Sequence, residues 1–304
     1  MLSFAIFMEY LCVRVYLMVH GIITLYTFLH DLDVYRSTRT MSTQNLSTRL
    51  VPLFVVTLAL HGCGTSPARI SPSPNDGPGV RADVAPAPGA SVRVGGDRAA
   101  MVTVADGGFR AGVCGIDTPL PVGYPAPTPP QAIDLKTYPA VRLAEVVSSG
   151  DPDAGMNRTF WPLFNHIKEH DIAMTAPVEM TFRGMPGPEA STPESWSMAF
   201  VYRTPELNGT GVEGRVIVRD TEPVTVVAAG EKGDYSMSLV QRRKLRVGQW
   251  LASNPQWEPA GDWRALYYNG PALFWWNKWA EVQLPVRPSS AVRRAAASGS
   301  PGAE

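Results

Sequence analysis

Two histidines, His166 and His170, are the side chains of this sequence best suited to hold a metal ion or a haem iron. They lie in a stretch from Asn157 to His170 whose apolar spacing predicts an α-helix. Residues four apart share one face of a helix, so both imidazoles are expected on the same side. The helical phase predicts His170 beside the apolar stripe at Leu163 and His166 further toward solvent. The other histidines of the chain all precede residue 63.

The histidine pair admits three interpretations. Haem iron takes axial ligands from opposite faces of the ring, so one helix offers one of the two histidines to a single iron and not both. The pair could instead grip a divalent metal ion, but no Asp, Glu or Cys is clearly placed by the sequence to complete such a site. The structural alternative is two solvated or helix-end histidines, with His170 facing the last carbonyl groups of the helix.

The elements that position these histidines alternate in kind along the chain. The first helix leads to Pro177, which fixes its own φ, removes a backbone donor and starts a strand at Val178. A second helix is predicted from Tyr235 to Ser253, with Asp234 as its cap. Period-two alternation and β-branched runs predict strands at 133–147, 178–182, 195–202, 215–219, 224–229, 263–268 and 280–286. This order predicts a duplicated α+β unit with two helices packed across an antiparallel sheet.

Composition separates one domain from its flanks. Residues 132–287 are long enough for a single core. Residues 63–131 are rich in Pro, Gly, Ala and Ser and are predicted to form a tether, because such a segment buries too little apolar surface to offset its ordering entropy. Residues 288–304 are small and polar and are predicted to be disordered. Lys+Arg and Asp+Glu both number 27, and this neutral balance argues against a nucleic-acid partner.

An export signal is predicted before the tether, within a targeting region at residues 1–62. The true start is predicted at Met41, so that residues 41–62 form the signal, with an apolar run from Leu50 to Leu60. The next residues, His-Gly-Cys63, resemble the lipobox of bacterial lipoproteins, in which Cys63 would be lipidated. An ordinary signal peptide or a poor membrane anchor is the alternative. Gly64 favours the outer membrane by resemblance to the sorting rule of enteric bacteria, so a lipid-anchored protein of the cell envelope facing the periplasm is expected.

The residues do not form a recognisable catalytic set. Cys12 lies in the targeting region and Cys63 lies at its end, so Cys114 is left alone, which excludes a disulfide framework, and it has no companion histidine. There is no Gly-x-Ser-x-Gly, His-Glu-x-x-His or phosphate-loop motif. Glu145 and Glu179 lie near strand positions without any sign that they face one another. The basic run Arg242-Arg243-Lys244 is interpreted as a solvated helix face, or as a surface that attracts anionic groups. An enzyme is not predicted.

Four stretches resemble the SOUL haem-binding family, and together they cover most of residues 132–286. The most recognisable is Ile-Ala-Met-Thr-Ala-Pro-Val at 172–178, preceded by the helix Asn-Arg-Thr-Phe-Trp-Pro-Leu-Phe-Asn-His-Ile at 157–167. The others are Tyr138–Val146 and Tyr268–Val282, the second of which has tryptophans where a basic pair is expected. The resemblance implies a distorted antiparallel β-barrel made of two βαββ-like halves, each with a helix across it. It also implies non-catalytic binding of haem or another tetrapyrrole in an open hydrophobic groove beside the first helix.

The resemblance places groove residues on the first helix, at Arg158 and Trp161. Asn165, one turn later, is expected to line the same surface. An aromatic wall could be formed by Trp275, Trp276 and Trp279, because an indole stacks well on a flat ring. The alternative is that these tryptophans belong to the core or to a turn. Arginine suits the propionate groups of a tetrapyrrole.

The function predicted from these residues is sequestration or transfer of haem at the cell envelope, with haem as the cofactor and an unidentified haem-receiving protein as a further partner. His166 or His170 is the candidate iron ligand. The alternative is an envelope interaction module that binds a peptide or an amphipathic partner in the same groove.

Overall fold

The computed structural model describes residues 84–298 and the short strand Ala68–Arg69. The helices are α1 (Pro152–Glu169), α2 (Met237–Ala252) and α3 (Ser290–Ser298), with a 3₁₀ turn at Trp275–Asn277. The strands are β1 (Ala68–Arg69), β2 (Ser91–Gly96), β3 (Thr103–Ala105), β4 (Gly108–Ala111), β5 (Cys114–Ile116), β6 (Ala132–Tyr138), β7 (Arg142–Ser148), β8 (Val178–Arg183), β9 (Ser195–Val201), β10 (Gly211–Glu213), β11 (Val216–Asp220), β12 (Val224–Lys232), β13 (Trp257–Pro259), β14 (Trp263–Tyr267) and β15 (Trp279–Pro288).

The principal sheet is antiparallel and runs in the order β10-β11-β7-β9-β8-β14-β15-β12-β6-β2, with β13 beside β15. Its centre is pseudo-symmetric: the trio β7-β9-β8 mirrors the trio β12-β15-β14 across the β8–β14 ladder. Each trio and its helix, α1 or α2, form one β-α-β-β unit. The strand that comes before each unit in the sequence pairs with the other unit. Strand β6 precedes the first unit but pairs with β12 of the second, and β11 precedes the second unit but pairs with β7 of the first. The predicted duplicated α+β architecture is therefore confirmed.

Strand pairing does not close this sheet into a barrel. Within the described residues, β10 and β2 each have a partner on one side only, so the sheet has two ends. The strand at one end, β10, is exposed along its whole length. The predicted barrel is thus observed as a long open antiparallel sheet with helices packed against it. A separate small sheet has the order β1-β3-β4-β5.

The helix α1 begins five residues before the predicted start at Asn157. Asp151 caps it by accepting a hydrogen bond from the backbone N–H of Asp153 at 3.0 Å, and Pro152 occupies the first turn, where no backbone donor is needed. The second helix, α2, is capped by Ser236 rather than by the predicted Asp234. Pro177 marks the entry into β8 as predicted, and its peptide bond with Ala176 is cis.

The main core lies between the sheet and the two long helices. Leu163 and Ile167 of α1 and Leu239 and Val247 of α2 are buried in it, together with Trp196 from β9. Phe182 of β8, Met198 of β9 and Tyr202, which follows β9, are in the same cluster. This packing fixes the position of α1, and therefore the position of its two histidines.

The prediction that residues 63–131 form a tether is wrong for residues 84–131. Strand β2 pairs with β6 in the principal sheet, and Arg93 forms a salt bridge with Asp134. Ile116 and Leu120 are buried in a second core cluster that includes Trp279. Many of the Pro and Gly residues of this stretch lie in turns and connections between ordered strands, so their abundance does not indicate a flexible chain.

The prediction of a disordered tail from residue 288 is wrong for its first part. Strand β15 extends to Pro288, and α3 spans Ser290–Ser298, where Glu258 accepts hydrogen bonds from the side chain of Arg293 and the backbone N–H of Ser290. The predicted start at Met41, the signal at 41–62 and lipidation of Cys63 all lie outside the described residues. In the described part of the chain, no helix has the length and apolarity to span a membrane.

Candidate functional site beside the first helix

His166 lies on the edge of the buried stripe of α1, against strands of the first β-α-β-β unit. Its side chain is 3% exposed, and both ring nitrogens have partners. Nε2 lies 2.7 Å from the hydroxyl group of Tyr202, just after β9, and Nδ1 lies 2.9 Å from Oε2 of Glu213. A buried imidazole with both nitrogens satisfied carries little desolvation penalty.

His170 follows the end of α1 and turns toward the same carboxylate. Its Nε2 lies 2.8 Å from Oε2 of Glu213, so one oxygen atom faces nitrogens of both histidines. The centres of the two imidazole rings are 4.6 Å apart. The side chain of His170 is 32% exposed and that of Glu213 is 49% exposed. The result is a cluster of two imidazoles and one carboxylate, the His–Glu cluster, which is buried on the His166 side and open on the other.

Glu213 reaches this position because β10 and β11 form a tight hairpin at the end of the sheet. Gly214 has φ +57°, a conformation that favours glycine, and lies in the turn between the paired residues Glu213 and Val216. Strand β11 is fixed by its ladder to β7, which holds the hairpin under the C-terminal half of α1. Sequence reasoning missed Glu213, which is 43 residues beyond His170 along the chain.

Hydrogen bonding holds the Glu213 carboxylate in its charged form. The bond from His170 lowers the pKa of Glu213, with a smaller contribution from His166. The pKa of the Tyr202 hydroxyl is raised, first by burial, so this group stays protonated at neutral pH. The Tyr202 hydroxyl can therefore donate a hydrogen bond to Nε2 of His166 or accept one from it, depending on which ring nitrogen carries the proton.

A cavity of about 390 Å³ lies between α1 and the β10–β11 hairpin. It is bounded on the helix side by Asn165, His166 and Glu169, and on the hairpin side by Glu213 and Arg215. These groups are polar or charged. The cavity therefore differs from the hydrophobic groove that was predicted beside this helix.

The predicted order of exposure of the two histidines is reversed. His166 is the buried member of the pair and His170 is the exposed one. The prediction assumed a buried stripe made only of apolar residues. In the structure the stripe includes Thr159 and His166, because each has a hydrogen-bond partner: the Gly155 carbonyl for Thr159 and Tyr202 for His166.

The other predicted residues of α1 lie on its solvent-facing side. Arg158 and Asn165 are exposed, and Trp161 is 55% exposed. The indole of Trp161 makes edge-to-face contacts with Phe160 and Phe164, each with ring centres 5.8 Å apart. Phe160 and Phe164 stack on one another, and Phe160 also contacts Phe200 of the sheet. These three residues, Phe160, Trp161 and Phe164, form an aromatic face on α1.

Trp275 and Trp276 lie in the 3₁₀ turn of the second β-α-β-β unit. They are 59% and 46% exposed, and Trp276 stacks on Phe274, which is 60% exposed. Trp279, also considered for an aromatic wall, is fully buried, and its Nε1–H donates to the Thr128 carbonyl. Met174 is 36% exposed. Trp275 and Trp276 therefore lie on a different element and in a different unit from Arg158, Trp161 and Asn165.

The remaining groups with possible catalytic roles are engaged in the fold. Glu145 binds Arg183 and Arg219, at 2.7 and 2.9 Å. Glu179 lies 3.4 Å from Arg264. Cys114 is buried, which raises the pKa of its thiol.

The basic run on α2 is only partly a solvated face. Arg242 is exposed, but Arg243 is buried beside Glu231 and Lys244 is fully buried, where it donates to the Ala190 carbonyl. Burial lowers the pKa of Lys244 to about 8.

Comparison with protein families identifies the family to which this chain belongs. Residues 125–285 match the family described as SOUL heme-binding protein. The chain belongs to this family. The matched region includes both β-α-β-β units and ends within β15, and it confirms the resemblance of the Ile172–Val178 stretch and its preceding helix. No curated protein matches the chain.

Several solved structures resemble this SOUL-family chain at a distance. The EcmrR C-terminal domain is 18% identical, with a TM-score of 0.43 over 52% of this chain and 98% of that one. A hydrolase encoded by lin2189 from Listeria innocua is 13% identical, with a TM-score of 0.38 over 53% of this chain and 94% of that one. SAV2435 bound to tetraphenylphosphonium is 9% identical, with a TM-score of 0.35 over 50% of this chain and 92% of that one.

The histidines of this SOUL chain fit an iron-ligand role poorly. His166 would have to leave Tyr202 or Glu213 and move out of the core to reach a tetrapyrrole. His170 would have to give up the bond from its Nε2 to Glu213. The aromatic face fits the rest of a tetrapyrrole better, because it offers exposed flat apolar rings with the cation of Arg158 on the same helix.

Proposed function

We propose that this SOUL-family chain binds haem or a related tetrapyrrole against the aromatic face of α1 and does not catalyse a reaction on it. The family membership supports the ligand class. The observation that carries the location is Trp161, a large indole left 55% exposed although Phe160 and Phe164 pack around it. Exposed aromatic groups of this kind mark surfaces that become covered by a ligand or a partner.

The proposed contacts divide between apolar and charged groups. The macrocycle lies on Trp161 and Phe164, while Arg158 pairs with a propionate group and Asn165 offers an amide at the rim. His166 and His170 are not required as iron ligands in this arrangement. With Glu145 and Glu179 held by arginines, no free carboxylate pair supports catalysis at these positions.

The proposed cellular role is sequestration or transfer of the tetrapyrrole at the bacterial cell envelope. The lipobox-like stretch before Cys63 supports this placement, with a lipid anchor that holds the protein at the outer membrane on its periplasmic side. A protein that receives the tetrapyrrole completes this role.

The test is a hemin titration of the full chain, followed by the Soret absorption band. We expect saturable binding of one hemin per chain. Trp161→Ala should weaken binding by about tenfold, because stacking contributes roughly 0.5–1.5 kcal/mol in addition to the area buried. His170→Ala should leave the spectrum of the bound hemin unchanged.

Trp276→Ala is the matched control, since Trp276 is also an exposed, stacked indole but lies in the other unit. Loss of affinity in Trp276→Ala with no loss in Trp161→Ala would move the site away from α1. Weak binding that never saturates would reject the tetrapyrrole. In that case the aromatic face would be better explained by a peptide or an amphipathic partner.

A further inference from the structure

We propose that the His–Glu cluster is a binding site for a divalent transition-metal ion, with Zn²⁺ as the best fit, formed by side chains that the proposed tetrapyrrole contacts do not include. Its ligands are Nδ1 of His166, Nε2 of His170 and a carboxylate oxygen of Glu213. All three ligand atoms lie within 4.8 Å of one another. Imidazole nitrogens favour zinc, copper and nickel over magnesium or calcium.

The distances agree with a site that needs little movement. Zinc binds imidazole nitrogen and carboxylate oxygen at about 2.0–2.2 Å, so neighbouring ligands of a tetrahedral ion are ~3.3 Å apart. In the structure the two nitrogens are 2.9 and 2.8 Å from the same oxygen of Glu213. These distances are shorter by about half an ångström than those around a bound ion, as expected for groups that hydrogen-bond to one another while no ion lies between them. Rotation of the exposed Glu213 and His170 side chains is enough to admit the ion.

Tyr202 supplies the supporting bond that a metal-binding histidine needs. A histidine that ligates a metal through one nitrogen usually donates its other N–H to a fixed acceptor, which sets the tautomer. The Tyr202 hydroxyl lies 2.7 Å from Nε2 of His166 and is buried with it. Without metal, the proton on His166 lies at Nδ1 and points to Glu213. When a metal ion takes Nδ1, the ring proton lies on Nε2, and Nε2–H donates a hydrogen bond to the Tyr202 hydroxyl.

The site has an open side. Two histidines and one carboxylate leave the fourth position of a tetrahedral zinc ion free for water, as in sites that keep an exchangeable ligand. His166 and Glu213 both border the 390 Å³ cavity, so this position faces solvent-accessible space. Metal binding would also join the exposed strand β10 to α1, which otherwise meet through the hydrogen bonds of the same cluster.

The experiment measures Zn²⁺ binding to the full chain after treatment with a chelator, by isothermal titration calorimetry. Co²⁺ provides a spectroscopic probe, since tetrahedral cobalt absorbs visible light much more strongly than the hydrated ion. We expect one ion per chain and a tetrahedral cobalt spectrum. His170→Ala and Glu213→Gln should each abolish both signals. Tyr202→Phe should weaken binding by about 10- to 100-fold, the usual effect of losing a partner of a metal-bound histidine.

One control separates this site from adventitious binding. Glu206→Gln removes an exposed carboxylate from the segment between β9 and β10 and should not change the affinity. His170 and Glu213 are both substantially exposed, so their variants should stay folded, which circular dichroism checks. Zn²⁺ binding that survives both His170→Ala and Glu213→Gln, or a cobalt spectrum of the hydrated type, overturns the proposal.

Discussion

Glu281 is a fully buried carboxylate without any contact with solvent. Its Oε1 accepts from the Lys136 amine at 2.8 Å, from the Tyr268 hydroxyl at 2.7 Å and from the backbone N–H of Thr128 at 2.7 Å. Its Oε2 accepts from Gln283 at 2.7 Å. Lys136 and Glu281 are both fully buried, so each depends on the other. Removing one member of such a pair leaves the other buried without its counter-charge.

We expect Lys136→Met to lower the free energy of unfolding by about 3–5 kcal/mol, the usual cost of breaking a buried ion pair. Urea denaturation of the full chain measures this value. The double variant Lys136→Met with Glu281→Gln should lose less than the sum of the two single variants, because it leaves no unpaired charge. Strictly additive losses would show that the two groups do not depend on one another.

At the residue scale, the sequence identified the histidines but could not identify their surroundings. Spacing along α1 is enough to place His166 and His170 on one face. The partner Glu213 comes from a hairpin whose position depends on the pairing of β11 with β7, a long-range contact. The burial of His166 depends in the same way on Tyr202. Local periodicity carries no information on either contact, so the predicted exposure was reversed and the third member of the cluster was missed.

At the scale of elements, α1 lies close to the sheet because Gly155 has no side chain. A Cβ atom at this position would lie 2.5 Å from Cζ2 of Trp196, whose indole is fully buried and donates to the Gly150 carbonyl at 3.1 Å. Helical propensity favours alanine over glycine by about 1 kcal/mol. Overpacking a core costs roughly 1–3 kcal/mol, and the Trp196 indole that the new methyl group would meet is fully buried.

The cost of overpacking should exceed the gain in helix propensity, so Gly155→Ala should lower the free energy of unfolding by about 1–2 kcal/mol. The measurement is the midpoint of thermal unfolding, with helix content followed by circular dichroism. The same substitution in a Trp196→Phe background, where the smaller ring relieves the clash, should be neutral or stabilising. A stabilised Gly155→Ala single variant would mean that α1 does not pack on Trp196 at this distance.

The order and type of the elements were predictable because α1, α2 and the central strands have clear apolar periods. The start of α1 was not predicted, because Asp151 and Pro152 signal a helix start without belonging to the apolar pattern. The strand predicted over 133–147 divides into β6 and β7 around Pro139. Pro139 cannot donate to a ladder, so the break follows from local chemistry that outweighs the alternation of side chains.

At the scale of the whole molecule, composition misled the prediction of domain limits. Residues 84–131 have the Pro and Gly content of a linker, yet they cover one side of the second β-α-β-β unit. The Thr128 carbonyl accepts from the buried indole of Trp279, and the Thr128 N–H donates to Glu281. Strand β2 protects the outer side of β6, and the Val94 carbonyl accepts from Trp250 of α2. The three hydrogen bonds with Trp279, Glu281 and Trp250 join positions 151 to 156 residues apart along the chain, and composition does not report them.

A chain that begins at Ala132 should therefore fail to fold, although it includes both β-α-β-β units. It loses Thr128, which pairs with both Trp279 and Glu281, and uncovers part of the second core cluster, including Val226 and Leu266. Each large apolar side chain contributes ~1.5–3 kcal/mol when it is buried. Uncovering several of them approaches the total stability of about 5–15 kcal/mol typical of a domain.

A matched chain that begins at residue 84 keeps every described contact except the pairing of β1 with β3. We expect it to give a cooperative urea transition and a near-ultraviolet circular dichroism spectrum like that of the full chain. The chain from Ala132 should lack both and should bind a hydrophobic dye. A cooperative transition of equal stability in the two chains would show that residues 84–131 pack on the domain without supporting it. In that case the domain limits inferred from composition would describe the folding unit correctly.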